Sequence, residues 1–558
     1  MSSPTADIDK LKRIIEVARG DRRADLVLKN AEVVHVVTGE IVTADIAICG
    51  NIIAGVGRYS GVEEMDCRGL YAVPGLIDGH THVEMSMLTV SEFARIVVPR
   101  GTTSVVADPH EIANVLGKEG VRLILEEAEH TPLRVFCLAP SCVPSSPLET
   151  PGAVIDAEDI AEIMEYEGVI GLAEVMNYPG VVNADEDVLS KIIATGKKVV
   201  DGHAPGLLGK ALNAYIAAGI TSDHESTEMD EAKEKLRLGM WIMIREGSAA
   251  RNLKALKELA GRRTMLVTDG DRSVGDILKE GYLDYVFRRA VEEGIDEITA
   301  LQMLTLNPAE YFDINAGMIA PSRFADVVLL RNLGRFDVAK VIVDGKKPVF
   351  GKFRHPEKAR KTVRAGKIRP EDIAIPGMGR ARIIEVQDGE IVTGESREFV
   401  DGIDVSRDIL KAVVVERHRG SGRIGKAYVR GFGLKRGAFA QSIAHDAHNI
   451  VAVGTSDEEI CRAVNRVVEL QGGIVVSDGE GVLAELPLPV AGIMSDLPAE
   501  EVAAKLEEVE RCIRELGCEM KSPVISLSFI ALPVIPKLKV TDLGLVDVEL
   551  FEVVDVFT

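Results

Sequence analysis

The chain has 558 residues, of which 46% are hydrophobic and 27% charged, so its composition is that of a globular protein with more than one domain and excludes a disordered or fibrous chain. Its formal net charge of -22 at pH 7 disfavours nucleic acids and anionic membrane surfaces as partners, because both repel an acidic protein. A small molecule is therefore the expected partner.

The first residues and the cysteines bear on cellular location. Residues 1–20 have alternating charges and a helical spacing of apolar residues, which differs from the basic and then apolar pattern of a secretory signal. The chain has no run of about 18 consecutive apolar residues, so we predict no membrane-spanning helix. Its seven cysteines are scattered and include no C-x-x-C pair, as is typical of a reducing compartment. We expect a cytoplasmic protein.

Strand-like segments follow a predicted first helix. Residues 25–74 contain four such segments separated by turn residues and predict a small β-module. From Leu76 to about Leu306 the pattern becomes eight short apolar runs, each with a polar end and each followed by a helix-length segment. Eight alternating β and α units over roughly 230 residues are typical of a (β/α)8 TIM barrel, whose catalytic rim lies at the carboxyl ends of the strands.

The remaining sequence predicts the domain organisation. Residues 306–355 are predicted to form strands. We expect these strands to return to the N-terminal helix and β-module (1–74) and to complete a small β-sandwich. The barrel then comprises residues 75–305. A basic stretch with Pro and Gly predicts a linker over 356–375, and residues 376–558 are expected to form a C-terminal α/β or α+β domain.

Candidate metal ligands stand at the ends of the barrel runs. His80 and His82 lie two residues apart at the end of the first run, so they point to the same side of a strand. This pair alone is only suggestive, since two histidines on a strand also occur as a structural polar pair. Further ligand-type residues end four later runs: Glu174, His203, His224 and Asp269. Because the strand ends of a barrel share one rim, we expect a single cluster in preference to structural hydrogen bonds alone.

Six ligand-type residues exceed the need of one catalytic zinc, which usually takes three protein ligands. We therefore predict two divalent ions bridged by Glu174. One ion is assigned to His80, His82 and Asp269, and the other to His203 and His224. A water shared by two such ions loses a proton near neutral pH and becomes a nucleophile. Asp269 is then placed to take that proton and deliver it to a leaving amine.

Longer strings of residues carry a family resemblance. GLIDGHTH, the six run-end residues and LNPAEYF resemble the amidohydrolase superfamily. Four further strings resemble the adenine deaminase family within it: GHTHVEMSM, PRGTTSVVADPHEIANVLG, GFGLKRGAFAQSIAHDAHNIVAVG and LPLPVAGIMSD. The resemblance runs from about residue 25 to residue 558. Met85, Ala444 and Ala447 stand where the family pattern has serine.

The resemblance implies an amidohydrolase-type barrel that hydrolyses adenine to hypoxanthine and ammonia, with the six run-end residues as ligands of a metal pair. Manganese or iron is expected, and zinc also accepts these ligands. Water attack at C6 of the purine requires a proton donor near N1 and a base for the leaving ammonia. His110 and Glu111 are candidates for these steps beside Asp269 and Glu174. Glu84 and His110 are candidate substrate contacts.

These polar residues also have structural interpretations, and both remain open at this point. His110, with Asp108, can buttress its loop, and Glu84 can orient His82. In the string AHDAHN, residues His445, Asp446 and His448 either bind substrate and exclude water at the barrel mouth or form an interdomain turn.

A Gly-rich string at 420–425 nearly matches a phosphate-binding loop. It lacks the Ser or Thr that such a loop has after its lysine, here Lys426, and strand-like sequence follows it. We therefore predict a hairpin.

Two other functions compete with adenine deamination. Amidohydrolases that act on cyclic amides commonly bridge their metals with a carboxylated lysine, whereas the fourth run of this chain offers Glu174. A catalytically silent, amidohydrolase-like scaffold tends to lose ligands, whereas this chain has the full set. We expect a purine base as the small-molecule partner and a homodimer as the assembly.

Overall fold

The structure is a computed structural model that describes residues 7–558. Helix α1 spans Ile8–Ala18, and the side chain of Asp7 caps its first turn by accepting a hydrogen bond from Asp9 N. Five strands follow: β1 (Ala24–His35), β2 (Glu40–Cys49), β3 (Ile52–Gly57), β4 (Gly61–Asp66) and β5 (Tyr71–Pro74). The segment therefore has one strand more than the sequence pattern predicted.

Eight short strands correspond to the eight predicted runs. They are β6 (Leu76–Thr81), β7 (Thr102–Ala107), β8 (Arg134–Ala139), β9 (Val169–Val175), β10 (Val199–Gly202), β11 (Ser222–Asp223), β12 (Trp241–Arg245) and β13 (Thr264–Val267). They pair in parallel, in the orders β10-β9-β8-β7-β6 and β11-β12-β13. This arrangement confirms the predicted α/β class.

Helices connect and follow these strands. They are α2 (Val90–Val97), α3 (His110–Leu116), α4 (Lys118–Ala128), α5 (Ala157–Ile163), α6 (Tyr178–Val182), α7 (Glu186–Ala194), α8 (Gly209–Ala217), α9 (Met229–Arg237), α10 (Leu253–Leu256), α11 (Val274–Lys279), α12 (Leu283–Glu292), α13 (Glu297–Leu304) and α14 (Leu306–Tyr311). Because helices cover the sheet on one side and side chains fill its other side, β7 and β8 are buried at every position.

The outer edges of the two parallel sheets approach each other at two seams. At the first seam, Asp269 N, just beyond β13, donates to His80 O of β6 over 3.1 Å. At the second seam, Gly202 N of β10 donates to Ser222 Oγ of β11, also over 3.1 Å. The eight strands thus form a curled parallel arrangement, and their carboxyl ends face the same side.

Two later strands return to the N-terminal part of the chain. Strands β14 (Val327–Asn332) and β15 (Asp337–Ile342) extend the first sheet, in the order β15-β14-β5-β1-β2-β3, with β4 on β1. Val327 pairs with Pro74 in an antiparallel register. Residues far apart in sequence therefore build one seven-stranded sheet.

The C-terminal part begins with helix α15 (Glu357–Arg360) and contains an eight-stranded sheet and a three-stranded sheet. Its strands are β16 (Gly379–Glu385), β17 (Gly394–Val400), β18 (Leu410–Val415), β19 (Ile424–Arg430), β20 (Ala438–Gln441), β21 (Ile450–Gly454), β22 (Gly473–Ser477), β23 (Val482–Pro487), β24 (Leu538–Thr541), β25 (Gly544–Asp547) and β26 (Glu552–Val554). Its other helices are α16 (Asp457–Leu470), α17 (Ala499–Glu515) and α18 (Pro523–Phe529). Strands β18 and β19 pair antiparallel across the Gly-rich string, which confirms the predicted hairpin.

All seven cysteines are buried and none forms a disulfide, so they pack as small apolar side chains. Between residues 7 and 558, no helix combines the length and the apolar character needed to cross a membrane.

Candidate active site

The six predicted metal ligands come together at the carboxyl ends of the parallel strands. Two of them face one carboxylate oxygen of Glu174: His203 Nδ1 lies 2.7 Å and His224 Nε2 lies 3.1 Å from Glu174 Oε2. The other oxygen, Oε1, lies 3.6 Å from His82 Nε2. Glu174 therefore sits between two groups of imidazoles.

Asp269 closes the other side of this cluster. Its Oδ1 lies 3.3 Å from His80 Nε2 and 3.2 Å from His82 Nε2. The imidazoles of His80 and His224 are stacked, with ring centroids 4.2 Å apart. The sequence prediction that these six side chains share one rim agrees with this geometry.

Two histidines are oriented by hydrogen bonds on the side away from the cluster. His80 Nδ1 lies 2.9 Å from the carboxylate of Asp201, and His82 Nδ1 lies 2.9 Å from the carbonyl oxygen of Asp108. An imidazole that donates through Nδ1 presents the lone pair of Nε2, and this is the usual arrangement of a metal-bound histidine. His80 Nε2 is buried and has no hydrogen-bond partner.

The cluster fits a divalent cation. Ligand atoms of His80, His82 and Asp269 all lie within 4.8 Å of one another, and so do those of His80, Glu174 and His224. Imidazole nitrogens and carboxylate oxygens suit first-row divalent metals. The orphaned nitrogen of His80 supplies an unused ligand atom at the centre of this donor set.

The electrostatics of the cluster also favour positive charge. Burial opposes protonation of His82, but its contact with Asp269 outweighs burial and raises the pKa of His82 to about 9. Burial likewise opposes ionisation of Glu174, yet His224 and His203 hold the pKa of this carboxyl well below its usual range. The carboxylates therefore remain charged and create the negative field that a cation needs.

Glu111, at the start of α3, is held by the C-terminal part of the chain. Its Oε1 lies 2.7 Å from His445 Nδ1, and its Oε2 accepts a hydrogen bond from His448 Nε2. Ala444 N donates to His448 Nδ1 over 3.2 Å, so the hydrogen of a neutral His448 ring is on Nε2. Burial opposes ionisation, but His445 and His448 keep the pKa of Glu111 well below its usual range.

Two buried carboxyl groups beside Glu111 each keep one oxygen without a hydrogen-bond partner. Glu84 accepts from Ile112 N over 3.2 Å through Oε1, whereas its Oε2 is unpaired. The Oδ2 atom of Asp446 is also buried without a hydrogen-bond partner. Burial, assisted by the nearby charge of Glu111, raises the pKa of Glu84 to about 7. These oxygens are available to a polar ligand.

His110 lies closer to the cluster than the sequence indicated. Its Nδ1 is 3.2 Å from Asp108 Oδ2 and 3.6 Å from Glu174 Oε1. Ligand atoms of these three residues and of His82 lie within 4.8 Å of one another. His110 therefore contacts both the candidate metal cluster and the loop that follows β7.

Sequence reasoning missed three polar residues at the rim. Asp201 orients His80, and Arg245 donates to Asp269 Oδ2 over 2.9 Å. The same guanidinium donates to Glu225 Oε2 over 3.1 Å. Two signals were present in the sequence: Asp201 precedes His203 by two residues, and Arg245 ends the seventh run.

The three departures from the family pattern make main-chain contacts. Met85 N donates to His82 O, and Ala444 N donates to His448 Nδ1, each over 3.2 Å. Ala447 O accepts from His418 Nε2 over 2.6 Å. These bonds use backbone atoms and do not depend on a serine hydroxyl.

Histidines and carboxylates at the carboxyl rim of a curled parallel sheet are typical of metal-dependent amidohydrolases, and residues 71–347 match the amidohydrolase family. Residues 383–552 match the adenine deaminase C-terminal domain. A protein of Archaeoglobus fulgidus named adenine deaminase is 72% identical over 556 residues, covering 100% of this chain and 99% of the relative. The chain belongs to the adenine deaminase family.

A more distant relative carries the same name. An adenine deaminase of Dehalococcoides mccartyi is 46% identical over 567 residues, covering 98% of this chain and 99% of its own length. A solved structure described as an adenine deaminase is 17% identical, has a TM-score of 0.44, and covers 59% of this chain and 100% of its own.

Proposed function

We propose that this protein hydrolyses adenine to hypoxanthine and ammonia. The observation that carries the proposal is the cluster of four histidines and two carboxylates around Glu174, with unpaired carboxyl oxygens of Glu84 and Asp446 beside it. The identity of the substrate is inferred from relatives that match 98–100% of this chain and carry the name adenine deaminase.

The proposed architecture is a closed (β/α)8 barrel over 75–305, supported by the contacts at both seams between the parallel sheets. The β-sandwich module comprises 1–74 and 306–355. Residues 356–375 form a linker, and 376–558 form the C-terminal α/β or α+β domain.

Two divalent ions are proposed, and Glu174 would serve both. His80, His82 and Asp269 would hold one ion, and His203 and His224 would hold the other. Manganese or iron is the proposed metal, and zinc also suits these donors. When bound, such ions lower the pKa of water toward neutrality and so supply a nucleophile at physiological pH.

The side chains move protons and hold the substrate. Asp269 accepts the proton of the attacking water and delivers it to the amino nitrogen that leaves C6 of adenine. His110 donates a proton toward N1, where negative charge develops, and the ionised Glu111, 3.7 Å from His110 Nε2, favours the protonated form of that imidazole.

Contacts to the purine edges come from both parts of the chain. Glu84 and Asp446 offer their unpaired oxygens to adenine, because an ionised carboxylate accepts from its N–H groups and a protonated carboxyl donates to a ring nitrogen. His445 and His448 help to enclose the substrate and exclude water, and they keep Glu111 in place through their hydrogen bonds.

The two competing functions are not favoured. A hydrolase of cyclic amides would commonly have a lysine at the bridging position, which is Glu174 here. A silent scaffold would not need a complete ligand set, and this chain retains all six ligands in contact. Adenine deaminase is also the name that the full-length relatives carry.

The proposed partner and cellular location follow from the net charge and the cysteine chemistry. A net charge of -22 disfavours nucleic acid and membrane surfaces as partners and leaves the purine base as the ligand. Seven unpaired cysteines support a reducing cytoplasm. The homodimer stays a prediction.

Ammonia release from a panel of substrates tests the proposal. Metal-free protein is supplied with manganese, iron or zinc and is assayed with adenine, adenosine, cytosine, guanine and cyclic amides. We expect metal-dependent release from adenine well above that from the other compounds. Preferred turnover of a cyclic amide would replace the proposal, and fewer than about one tightly bound transition ion per chain would favour the scaffold.

A further inference from the structure

Arg417 lies just beyond β18, and its guanidinium is fully buried against three separate segments of the chain. Its Nε donates to the carbonyl oxygen of His448. Its Nη1 donates to Thr362 Oγ1 over 3.1 Å, and its Nη2 donates to Ala491 O over 2.9 Å. Arg417 therefore connects the linker, the loop after β23 and residues 444–449, which we term the AHDAHN loop.

None of these three acceptors is a carboxylate. Burying a charged group without a counter-ion costs several kcal/mol, so a guanidinium in this position needs a reason beyond filling space. The planar guanidinium presents several N–H groups in fixed directions. Its three nitrogens each donate to an acceptor from a different segment.

The surrounding backbone is shaped to admit this guanidinium. A Cβ at Gly492 would lie 2.2 Å from Arg417 Nη1, which is closer than any normal contact. Gly492 also has a φ of +74°, in the region that favours glycine. A glycine therefore stands where the guanidinium needs space.

Two neighbouring bonds hold the same loop. The backbone N of Arg417 donates to Asn449 Oδ1 over 3.1 Å. The ring of His418 donates through Nε2 to Ala447 O over 2.6 Å, and a Cβ at Gly152 would lie 2.9 Å from its Nδ1. The AHDAHN loop is thus fixed at residues 447, 448 and 449 from the end of a single strand.

The direction of the His448 ring depends on where its main chain lies. His448 N donates to Ala444 O over 2.6 Å, and Ala444 N donates back to His448 Nδ1. This closed turn directs Nε2 at the carboxylate of Glu111. A shift of the His448 carbonyl would therefore turn the hydrogen-bond donor away from Glu111.

We propose that Arg417 is a positioning residue that sets the AHDAHN loop, so that His448 holds Glu111 for the reaction. The inference rests on the proposed function for the role of Glu111. The guanidinium of Arg417 donates to Thr362, His448 and Ala491, which lie outside the metal cluster, and it acts through the backbone of His448.

A double-mutant cycle tests this route. Arg417→Lys keeps the charge but loses the planar arrangement of donors. In otherwise wild-type, metal-loaded full-length protein, we expect Arg417→Lys to lower kcat/KM for adenine about tenfold or more, with metal content unchanged. In a His448→Ala background, which lacks the ring, the same change is expected to cost less than about threefold, because residues that act through one contact are not additive.

Two further variants keep the test decisive. Arg134→Lys alters another buried arginine, at the amino end of β8, where it pairs with Asp326. We expect Arg134→Lys to lower the unfolding temperature but to change kcat/KM less than about twofold in either background. If Arg417→Lys fails to fold, Gly492→Ala takes its place in the cycle, because it retains Arg417 and displaces the guanidinium.

The outcomes separate this inference from the proposed function. A tenfold loss that disappears in the His448→Ala background supports the positioning role. An equal loss in both backgrounds, or activity within twofold of wild type for a folded Arg417→Lys protein, overturns it. Absence of ammonia release from adenine by the wild-type protein contradicts the proposed function instead.

Discussion

Glu111 and His448 are separated by 337 residues in sequence, yet the carboxylate of Glu111 accepts a hydrogen bond from His448 Nε2. Glu111 is the second residue of α3, beside the candidate metal cluster, and His448 belongs to the C-terminal part of the chain. The bond places a C-terminal side chain in direct contact with the candidate active site. The C-terminal part of the chain therefore contributes side-chain contacts to this candidate site.

Replacing Glu111 with glutamine tests the value of this contact. In Glu111→Gln an amide N–H2 group faces one of two imidazole donors, so at least one hydrogen bond is lost. We expect kcat for adenine to fall about 100-fold or more, because the neutral amide no longer favours the protonated form of His110 that donates near N1. Metal content should stay unchanged, because Glu111 is outside the six proposed ligands. Steady-state ammonia release and metal analysis provide the measurements.

The control for this change is Glu129→Gln, which alters an exposed carboxylate after α4. It should leave kcat within twofold of the wild-type value, as surface substitutions usually do. A Glu111→Gln protein with wild-type kcat would remove Glu111 from the proposed chemistry.

Removal of a proposed metal ligand should separate activity from folding. Glu174→Ala deletes the carboxylate between the imidazoles, and His203→Ala deletes the shortest contact to it, at 2.7 Å. We expect both variants to lose turnover and bound metal while far-ultraviolet circular dichroism stays close to that of the wild type. The fold should persist because its strands are held by buried apolar side chains such as Val106 and Leu138.

Metal content per chain and ammonia release are measured on the same preparations. Near-wild-type ammonia release from either variant would contradict the ligand assignment. A loss of circular dichroism would show that the cluster is needed for folding.

The candidate metal cluster was predictable because strand direction is readable from sequence. Parallel strands followed by helices bring their carboxyl ends to one rim, so His80 and Asp269 could be placed together although 189 positions separate them. The same logic failed for Arg245, because a charged residue at a strand end is equally typical of a solvated rim. Its contact with Asp269 appears only in three dimensions.

Contacts between parts of the chain were less accessible to sequence reasoning. The sequence left His445 and His448 open between substrate binding and an interdomain turn, and no periodic pattern specifies how one domain docks on another. The structure gives both rings a partner in Glu111. Arg417 carried no signal at all, since a single arginine after a hairpin strand is usually exposed.

The Gly-rich hairpin yields a stability prediction. A Cβ at Gly425 would lie 1.6 Å from Thr541 O in β24, so Gly425→Ala must separate β19 from β24. We expect a loss of about 1–3 kcal/mol in the free energy of unfolding, as for other overpacked sites. Gly479→Ala is the control, because its Cβ would meet no atom within 4 Å. Equal thermal unfolding temperatures for the two variants would contradict the close packing of these strands.

Lys539 predicts a pH dependence of stability away from the active site. Its side chain is fully buried, and Nζ donates to Ile391 O over 2.8 Å and to Phe529 O over 3.0 Å. Burial lowers the pKa of Lys539 from 10.5 to about 7. Below pH 7 the folded and unfolded states both carry the proton, so the cost of the buried charge is fully present and constant.

Between pH 7 and the unfolded value of 10.5, only the unfolded state keeps this proton, so the folded state gains stability as pH rises. The gain is about 1.4 kcal/mol per pH unit at most, or about 2 kcal/mol from pH 7 to pH 9. Lys539→Met removes the titrating group, so the stability of wild type relative to Lys539→Met should increase by this amount. Urea unfolding of both proteins at pH 7 and pH 9 measures the difference, since the other titrating groups are common to both and cancel. A constant difference between the two proteins would show that the lysine titrates alike in the folded and unfolded states.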